Sequence, residues 1–251
     1  MKWTIKFMLA LCVAIPAVAQ ETSGDQNKKD PKALEILKKA DAAIKAVKTV
    51  QYDVTVSPAG WMKNFASSAK GHAILGGKFS GGGTEKYRYE VEVTRAGSSE
   101  VGKWTVGGNG EDFYVFDHAK KTALVDVDPS FVLPAAPQAA ARLGMAEYVH
   151  DAPFSDEING KEIELRGTVK IGNEECHKIF VAYSNVQVQA IWYFSTKDFL
   201  PRGVERLRAN PQDPKDIGAV VWKLTNLVPD PVFVADPFKA RVPDGYTMVE
   251  E

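Results

Sequence analysis

Apolar residues recur along the chain with two different spacings, and the first spacing is that of a helix. The apolar positions that follow one another at steps of four and three are Ala33, Leu37, Ala40, Ile44 and Val47. This spacing places them on one side of an α-helix, opposite the lysines of the same segment. Asp30 can accept hydrogen bonds from the free N–H groups of the first turn, and Pro31 suits the first helical position. The sequence therefore predicts an amphipathic helix over residues 31–47.

Beyond residue 48 the apolar residues alternate with polar ones, which is typical of strands with one dry and one wet face. The clearest alternation places apolar residues at Val50, Tyr52, Val54 and Val56, at Tyr87, Tyr89, Val91 and Val93, and at Ile163, Leu165 and Val169. Further strands are predicted near residues 70–79, 101–107, 112–117, 121–127, 176–184, 187–195, 202–208 and 217–227. Short turns such as Gly81–Gly83 and Gly172–Asn173 separate the strands, so an antiparallel meander is expected.

Two segments interrupt this alternation. Residues 58–69 contain Trp61, Met62 and Phe65 and are predicted to form a short helix or a loop. Residues 129–154 are rich in alanine, proline and leucine, and their central stretch PQAAARLGMAEYV is predicted to form a helix. No helix is expected between each pair of consecutive strands, which argues against a parallel α/β sheet.

The predicted fold is mainly β, in the α+β class, with a large curved antiparallel sheet of roughly 10–11 strands that forms an unclosed β-barrel. A few helices would cover its concave face, namely the helix at 31–47 and a helical insertion at about 129–149. All of this would belong to one domain over residues 31–251. These helices are too short to fill so wide a face, so an apolar hollow is expected there, where hydrophobic ligands could bind.

Apolar side chains on the strands and in the two interrupting segments are the candidates for lining this hollow. They are Trp61, Phe65, Trp104, Phe113, Phe131, Leu133, Leu143, Met145, Trp192, Phe194 and Trp222. Trp192 and Phe194 share one strand face, because side chains two residues apart point the same way. The alternative for each aromatic residue is packing in the core, the usual place of a strand aromatic. Trp61, in the loop segment, is instead a candidate lid residue.

The N-terminus predicts export. Lys2 and Lys6 form a positive region before an apolar run over residues 7–18, and Ala17–Ala19 matches a small-x-small cleavage site. Residues 1–19 are therefore predicted to be a cleaved signal peptide that sends the protein to the periplasm, and residues 20–30 a flexible leader. A short membrane anchor is the alternative. Without the signal peptide only Cys176 remains, so no internal disulfide is expected.

Charge and residue spacing argue against several binding and catalytic functions. The formal net charge is −1, and this near-balance argues against a nucleic-acid partner, which would require a basic face. Cys176 and His177 are adjacent on a predicted strand and point to opposite faces, so they cannot act together as nucleophile and base. The four histidines lack metal-ligand spacing, and the glycine-rich stretches GGGTE and GGNGED fit turns better than phosphate-binding loops.

No catalytic residue, metal or cofactor is therefore predicted. Acidic pairs such as Glu111–Asp112 are located at turns, where solvated charge explains them. Arg202, Arg206 and Arg208 alternate along one strand face. They form either a solvated face or a site for an anionic headgroup or a partner protein.

The order of these features resembles the LolA/LolB superfamily of periplasmic lipoprotein carriers and its outer-membrane lipoprotein-sorting relatives. The resemblance covers nearly the whole mature chain. An amphipathic helix leads into the first strand (DPKALEILKKADAAIKAVKTVQYDVTV), and a helical insertion follows the first block of strands. A tryptophan strand then turns into Leu-Pro (WYFSTKDFLPRGVE), and the chain ends with a Phe followed by Pro-x-Gly-Tyr (DPFKARVPDGY).

The resemblance implies an unclosed barrel with a helical lid, which holds acyl chains in its hollow and has no catalytic residues. The expected function is a periplasmic carrier that binds lipid or the acyl chains of a lipoprotein, as a monomer and without a cofactor. The alternative is an envelope structural or interaction module whose own side chains fill the core. Such a module would dock to an envelope protein through an exposed edge strand.

Overall fold

The computed structural model describes residues 28–76, 86–183 and 188–249. The predicted signal peptide, most of the leader and the turn at Gly81–Gly83 lie outside these residues. Within them the protein is mainly β with few helices, as the sequence predicts. In the part of the chain that the structure describes, no helix is long and apolar enough to cross a bilayer.

Thirteen strands of the described residues form one sheet. They are β1 (Lys28–Lys29), β2 (Thr49–Ala59), β3 (Ser68–Gly76), β4 (Lys86–Thr94), β5 (Val101–Asn109), β6 (Phe113–Asp117), β7 (Thr122–Asp126), β8 (Glu162–Ile171), β9 (Glu174–Ala182), β10 (Val188–Ser195), β11 (Pro201–Ala209), β12 (Ile217–Pro229) and β13 (Thr247–Met248). The helices are α1 (Pro31–Ala46), α2 (Pro129–Val132), α3 (Gln138–Ala141) and α4 (Ser155–Ile158). Short 3-10 turns occur at Gly60–Asn64, Leu133–Ala135 and Ala146–Tyr148.

The sheet is open and consists of two antiparallel meanders. Its strand order is β1-β8-β9-β10-β11-β12-β2-β3-β4-β5-β6-β7-β13. One meander runs from β2 to β7 and the other from β8 to β12, and the antiparallel pairing of β2 with β12 joins them. The strands β2 to β12 are those expected from the sequence. The two-residue strands β1 and β13 are not evident from it, and they pair in parallel with β8 and β7 at the two edges.

One face of the sheet, which we call the inner face, carries the helices. The inner side chains of β2, which are at most 2% exposed, are Val50, Tyr52, Val54 and Val56. The α1 residues buried in the same core are Ala33, Ile36, Leu37, Ala40 and Ile44. Asp30 begins the helix as expected, because its Oδ1 accepts from the backbone N–H of Lys32 at 2.8 Å.

The insertion between β7 and β8 (residues 127–161) is not the continuous helix predicted for PQAAARLGMAEYV. It consists of α2, α3 and α4 and two 3-10 turns. Proline explains part of the difference, because Ala136, which precedes Pro137, is extended with φ −93° and ψ 150°. Glycine explains another part. At Gly144 an added Cβ would lie 2.1 Å from the Tyr89 hydroxyl, so the backbone passes too close to the sheet for a side chain.

The C-terminal segment (residues 230–249) crosses the opposite, outer face of the sheet. It starts beside β2, where Asp230 Oδ1 accepts from the backbone N–H groups of Lys48 and Thr49 at 2.8 and 2.9 Å. Further on, Phe238 packs on Gly76, and an added Cβ at Gly76 would lie 2.6 Å from the phenyl ring. Glycine at the end of β3 therefore makes room for the buried Phe238 side chain.

The C-terminal segment also covers an apolar cluster on the outer face, which we call the outer cluster. Its members, which are at most 1% exposed, are Tyr114, Phe116 and Ala123. Ala240 and Tyr246 pack against them, and the Tyr246 hydroxyl is hydrogen-bonded to His118 Nδ1 at 2.6 Å. The parallel pairing of β13 with β7 completes this contact. Residues near the C-terminus thus bury part of the outer face, which would otherwise be exposed to solvent.

Candidate functional site

Three aromatic rings fill one part of the inner face. Phe154 of the insertion lies edge-on to both Trp192 and Phe194 of β10, with ring centroids 5.1 Å apart in each case. Trp192 and Phe194 are stacked on each other at 5.7 Å. All three side chains are 0% exposed. This part of the inner face is therefore packed core and leaves no space for a ligand.

A cavity of about 630 Å³ remains over another part of the inner face, and we call it the inner cavity. Its floor consists of side chains of β3, β4 and β5, namely Leu75, Tyr87, Tyr89 and Val106. Its cover is the insertion, through Leu133, Pro134, Ala136, Pro137, Gln138, Ala140, Ala141, Gly144, Met145, Ala146 and Val149. The lining contains no charged residue. Such a lining favours an apolar ligand.

The insertion is held over the inner face by hydrogen bonds from two aromatic side chains. The Tyr52 hydroxyl, in the middle of β2, donates to the Leu143 carbonyl and accepts from the Met145 N–H, both at 3.0 Å. Trp222 Nε1 of β12 donates to the Arg142 carbonyl at 2.7 Å. Tyr52 is fully buried, and this burial raises the pKa of its phenol. The hydroxyl therefore stays protonated and continues to donate.

Two buried carboxyl groups lie at the other end of the insertion. Glu147 is 8% exposed and accepts from Arg206 Nη2 of β11 at 3.0 Å. Glu157 is 4% exposed and accepts from the Tyr183 hydroxyl at 2.6 Å. Burial raises the pKa of both carboxyl groups, although the charge of Arg206 acts in the opposite direction. These contacts attach the insertion to β11 and to the chain just after β9.

Nine of the eleven predicted lining residues lie in three environments. Leu133 and Met145 line the inner cavity. The fully buried residues of the packed core are Leu143, Trp192 and Phe194. The half-buried residues that pack against this core are Trp104, Phe113, Phe131 and Trp222.

The remaining two predicted residues, Trp61 and Phe65, lie outside the inner cavity. Their rings touch edge to face at 5.8 Å, and Phe65 is 75% exposed. Trp61 Nε1 donates to the Arg208 carbonyl of β11 at 3.2 Å, so this side chain contacts the sheet. The segment that carries both residues includes the 3-10 turn Gly60–Asn64.

The three arginines that alternate on β11 do not form a common site. Arg202 is 4% exposed and donates to Glu174 at 3.0 Å and to Asp198 at 2.7 Å. Its guanidinium holds the pKa of the Glu174 carboxyl below its usual range. Arg206 pairs with Glu147, and only Arg208 is left exposed. The sequence contains a hint of the Arg202 network, because Asp198 precedes it by four residues in the same hairpin.

Another cavity, of about 800 Å³, is a groove on the outer face. Ion pairs cross its surface: Glu92 with Lys70 (3.0 Å) and with Lys103 (2.7 Å), and Arg88 with Glu90 (3.0 Å). Solvated and paired charges of this kind fit a polar outer surface better than a lipid site. In the described residues no three His, Cys, Asp or Glu side chains are grouped as metal ligands.

Cys176 is expected to be unreactive in the folded protein. Its side chain is 0% exposed, and burial raises the pKa of the thiol to about 11. At pH 8 only about one thiol in a thousand would then be ionised, and thiolate is the reactive form. Peptide-level mass spectrometry after iodoacetamide treatment at pH 8 should show little modification of Cys176, and full modification in denaturant. Rapid modification of the native protein would contradict the burial described here.

Comparison with known proteins identifies solved structures that are similar to this one. No family model matches the sequence, and no curated protein matches it. Among solved structures, LprF from Mycobacterium bovis matches with a TM-score of 0.52 and 12% identity, over 84% of this chain and 100% of that chain. The chain shares the fold of LprF.

Other matches are to more distant structures. They include the Mycobacterium tuberculosis lipoprotein LppX, with a TM-score of 0.46 and 12% identity over 82% of this chain and 100% of that chain. A LolA superfamily protein from Nitrosomonas europaea matches with a TM-score of 0.30 and 15% identity over 80% of this chain and 94% of that chain. These matches are consistent with the LolA-like fold expected from the sequence. At such identities the likeness says nothing about the ligand.

Proposed function

We propose that this protein is a non-catalytic envelope carrier that binds a lipid, or an acyl chain of a lipoprotein, in the inner cavity. The observation that carries the proposal is the uncharged cavity of about 630 Å³ between the insertion and β3 to β5. Another part of the inner face is filled by Phe154, Trp192 and Phe194, so the cavity is a local feature and not general loose packing. Export by the predicted signal peptide would bring the protein to the periplasm, where lipoproteins are sorted.

The size and lining of the inner cavity suit one acyl chain. Sites for small ligands typically enclose about 300–1,000 Å³. Each methylene moved from water into an apolar cavity contributes about 0.8 kcal/mol, so ten methylenes would contribute about 8 kcal/mol before the cost of ordering the chain. Burial alone could therefore hold a fatty acyl chain, and no directed polar contact is needed.

Binding and release would require the insertion to move. Leu133, Pro134, Gln138 and Ala141 are exposed at the rim of the inner cavity, which makes this rim the entrance. A larger opening would break the hydrogen bonds of Tyr52 and Trp222 to the insertion backbone. Each such bond contributes about 1 kcal/mol, so ligand burial is large enough to offset their loss.

Filling the inner cavity with a bulky side chain tests the proposal. Ala141 is exposed and lines the cavity, so Ala141→Trp would place an indole at its entrance with little risk to the fold. We expect the affinity for an environment-sensitive fluorescent fatty acid to fall by about tenfold or more, because the same space cannot hold both groups. Fluorescence titration of the purified protein measures this change.

Ala135→Trp is the matched control. Ala135 is also exposed on the insertion, but it does not line the inner cavity. The control should bind the fluorescent fatty acid as the unmodified protein does. Equal affinities of the unmodified protein and Ala141→Trp would contradict the proposed site, and no binding by any of the three proteins would contradict the carrier function itself. Native mass spectrometry without detergent should in addition show a co-purified lipid mass.

The edge strand β8 supports a second candidate, an interaction module of the envelope. On the side of β8 that faces away from β9, β1 pairs only with Glu162 and Ile163. The rest of this edge of β8 has no partner strand in the described residues. Residues 166–170 of this strand are exposed. An unpaired edge can accept a strand from a partner protein. One feature counts against this candidate: Gly167, with φ +84°, lies where the β8–β9 register is irregular. Such irregularities weaken the pairing of an edge strand with a partner.

A further inference from the structure

A second depression adjoins the inner cavity on the other side of α3, and it has a different chemical character. This crevice, of about 380 Å³, is lined by Phe65, Ala66, Ser67, Val93, Arg95, Pro137, Gln138, Ala139 and Arg142. Pro137 and Gln138 line both the crevice and the inner cavity. A molecule with two different ends could therefore occupy both sites across this shared wall.

The crevice carries positive charge and no negative charge. Arg95 and Arg142 line it, and no aspartate or glutamate does. Neither guanidinium forms an ion pair within the described residues. The Arg142 backbone is fixed by the hydrogen bond from Trp222, which positions this arginine at the crevice. Two arginines without carboxylate partners suit a phosphate group, which the planar guanidinium can contact through two N–H groups.

An exposed aromatic side chain lies next to these charges. Phe65 is 75% exposed and contacts Trp61. The exposed ring adds apolar surface to the lining of the crevice, next to Arg95 and Arg142. The two arginines and the exposed ring line the crevice, and the uncharged inner cavity lies across the shared wall of Pro137 and Gln138. The crevice therefore suits an anionic headgroup, and the inner cavity suits an acyl chain.

We propose that the crevice binds the phosphate-bearing anionic headgroup of a lipid whose acyl chain occupies the inner cavity. This inference rests on the proposed carrier function and names the class of lipid that it would carry. The arginines of β11 do not offer such a site, because Arg202 and Arg206 are already paired with carboxylates. In the groove on the outer face, Lys70, Arg88 and Lys103 pair with Glu90 or Glu92, which leaves Arg241 as the one lining arginine without an ion pair in the described residues.

The test compares two phospholipids of equal chain length, which differ only in their headgroup, and one neutral lipid without a phosphate group. Isothermal titration of the exported protein would use dihexanoylphosphatidylglycerol, which is anionic, dihexanoylphosphatidylcholine, which is zwitterionic, and dioctanoylglycerol, which is neutral. We expect the anionic lipid to bind about tenfold more tightly than the zwitterionic one at low salt. The difference should shrink as salt is added, because the arginines are reached by solvent.

The decisive variant is Arg95→Gln with Arg142→Gln, and its matched control is Lys63→Gln with Arg208→Gln. Both remove two positive charges, and Lys63 and Arg208 are exposed but do not line the crevice. The crevice variant should lose the preference for the anionic lipid and keep its affinity for dioctanoylglycerol. The control should keep both, and unchanged thermal unfolding would show that each variant is folded.

Each other outcome overturns the inference in a distinguishable way. Equal binding of the anionic and zwitterionic lipids by the unmodified protein would remove the headgroup site and leave the carrier function standing. An equal loss in the control variant would show a general effect of net charge. Displacement of the anionic lipid by inorganic phosphate at similar concentration would assign the crevice to a free anion. No binding of dioctanoylglycerol by the unmodified protein would refute the carrier function, and the inference with it.

Discussion

Replacing Phe154 by alanine is expected to lower the free energy of unfolding by about 3–5 kcal/mol. The ring is fully buried and lies edge-on to Trp192 and Phe194, so its removal leaves a void that these two rigid rings cannot fill. The substitution also removes one contact between the insertion and the sheet, because Phe154 belongs to the insertion and its two partners to β10. Denaturant unfolding monitored by tryptophan fluorescence measures this change.

Phe65→Ala is the matched control for the Phe154 variant. It removes the same side chain from a position that is 75% exposed, and we expect a change within about 0.5 kcal/mol. A loss of less than about 1 kcal/mol for Phe154→Ala would show that the insertion is not packed on the sheet as described. The inner cavity would then have no fixed cover, and the proposed ligand site would lose its basis.

Ending the chain at Asp236 is expected to destabilise the protein by about 3–6 kcal/mol, since Tyr114 and Phe116 would each lose about 1.5–3 kcal/mol of burial. Residues 237–251 include Phe238, which fills the space above Gly76, and Tyr246, which packs on the outer cluster. Removal of residues 237–251 would also take away β13, so that β7 would become an edge strand without a partner on that side. We expect a lower unfolding midpoint and a greater tendency to aggregate.

Serine substitutions in the same segment provide the control for this truncation. Val232 and Val234 are 98% and 108% exposed, so Val232→Ser with Val234→Ser should leave the unfolding midpoint unchanged. Thermal unfolding with light-scattering detection separates loss of stability from aggregation. A truncated protein as stable as the full chain would show that the outer cluster does not depend on the C-terminal segment for its burial.

The long strands of this fold could be predicted because their burial follows a period of two. In β4, for example, Tyr87, Tyr89, Val91 and Val93 are buried, as the alternation requires. Two-residue strands have no period, so β1 and β13 could not be found in this way. The helix α1 was predictable for the same kind of reason, since its apolar spacing and its cap at Asp30 both have local causes.

The insertion could not be predicted from its composition. Alanine-rich sequence favours a helix, but Pro137 and the close approach at Gly144 prevent a continuous one. The alternation of β10 correctly places Trp192 and Phe194 on one face. Whether that face is open or covered depends on Phe154, which is 38 residues away from Trp192 (192 − 154) and gives no signal in the sequence. The inner cavity therefore lies beside the predicted aromatic residues and not above them.

During synthesis, β2 leaves the ribosome long before its partner β12 exists. Thr49–Ala59 cannot pair with Ile217–Pro229 until the latter has been synthesised, and the two strands are 158 residues apart in the chain (217 − 59). Each meander consists of strands that are neighbours in the chain and can pair early, whereas the junction between the meanders requires closure of the whole intervening chain. We therefore expect the newly made chain to pass through a state with two formed halves and two unpaired central edges. In that state the molecule would be most dependent on chaperones.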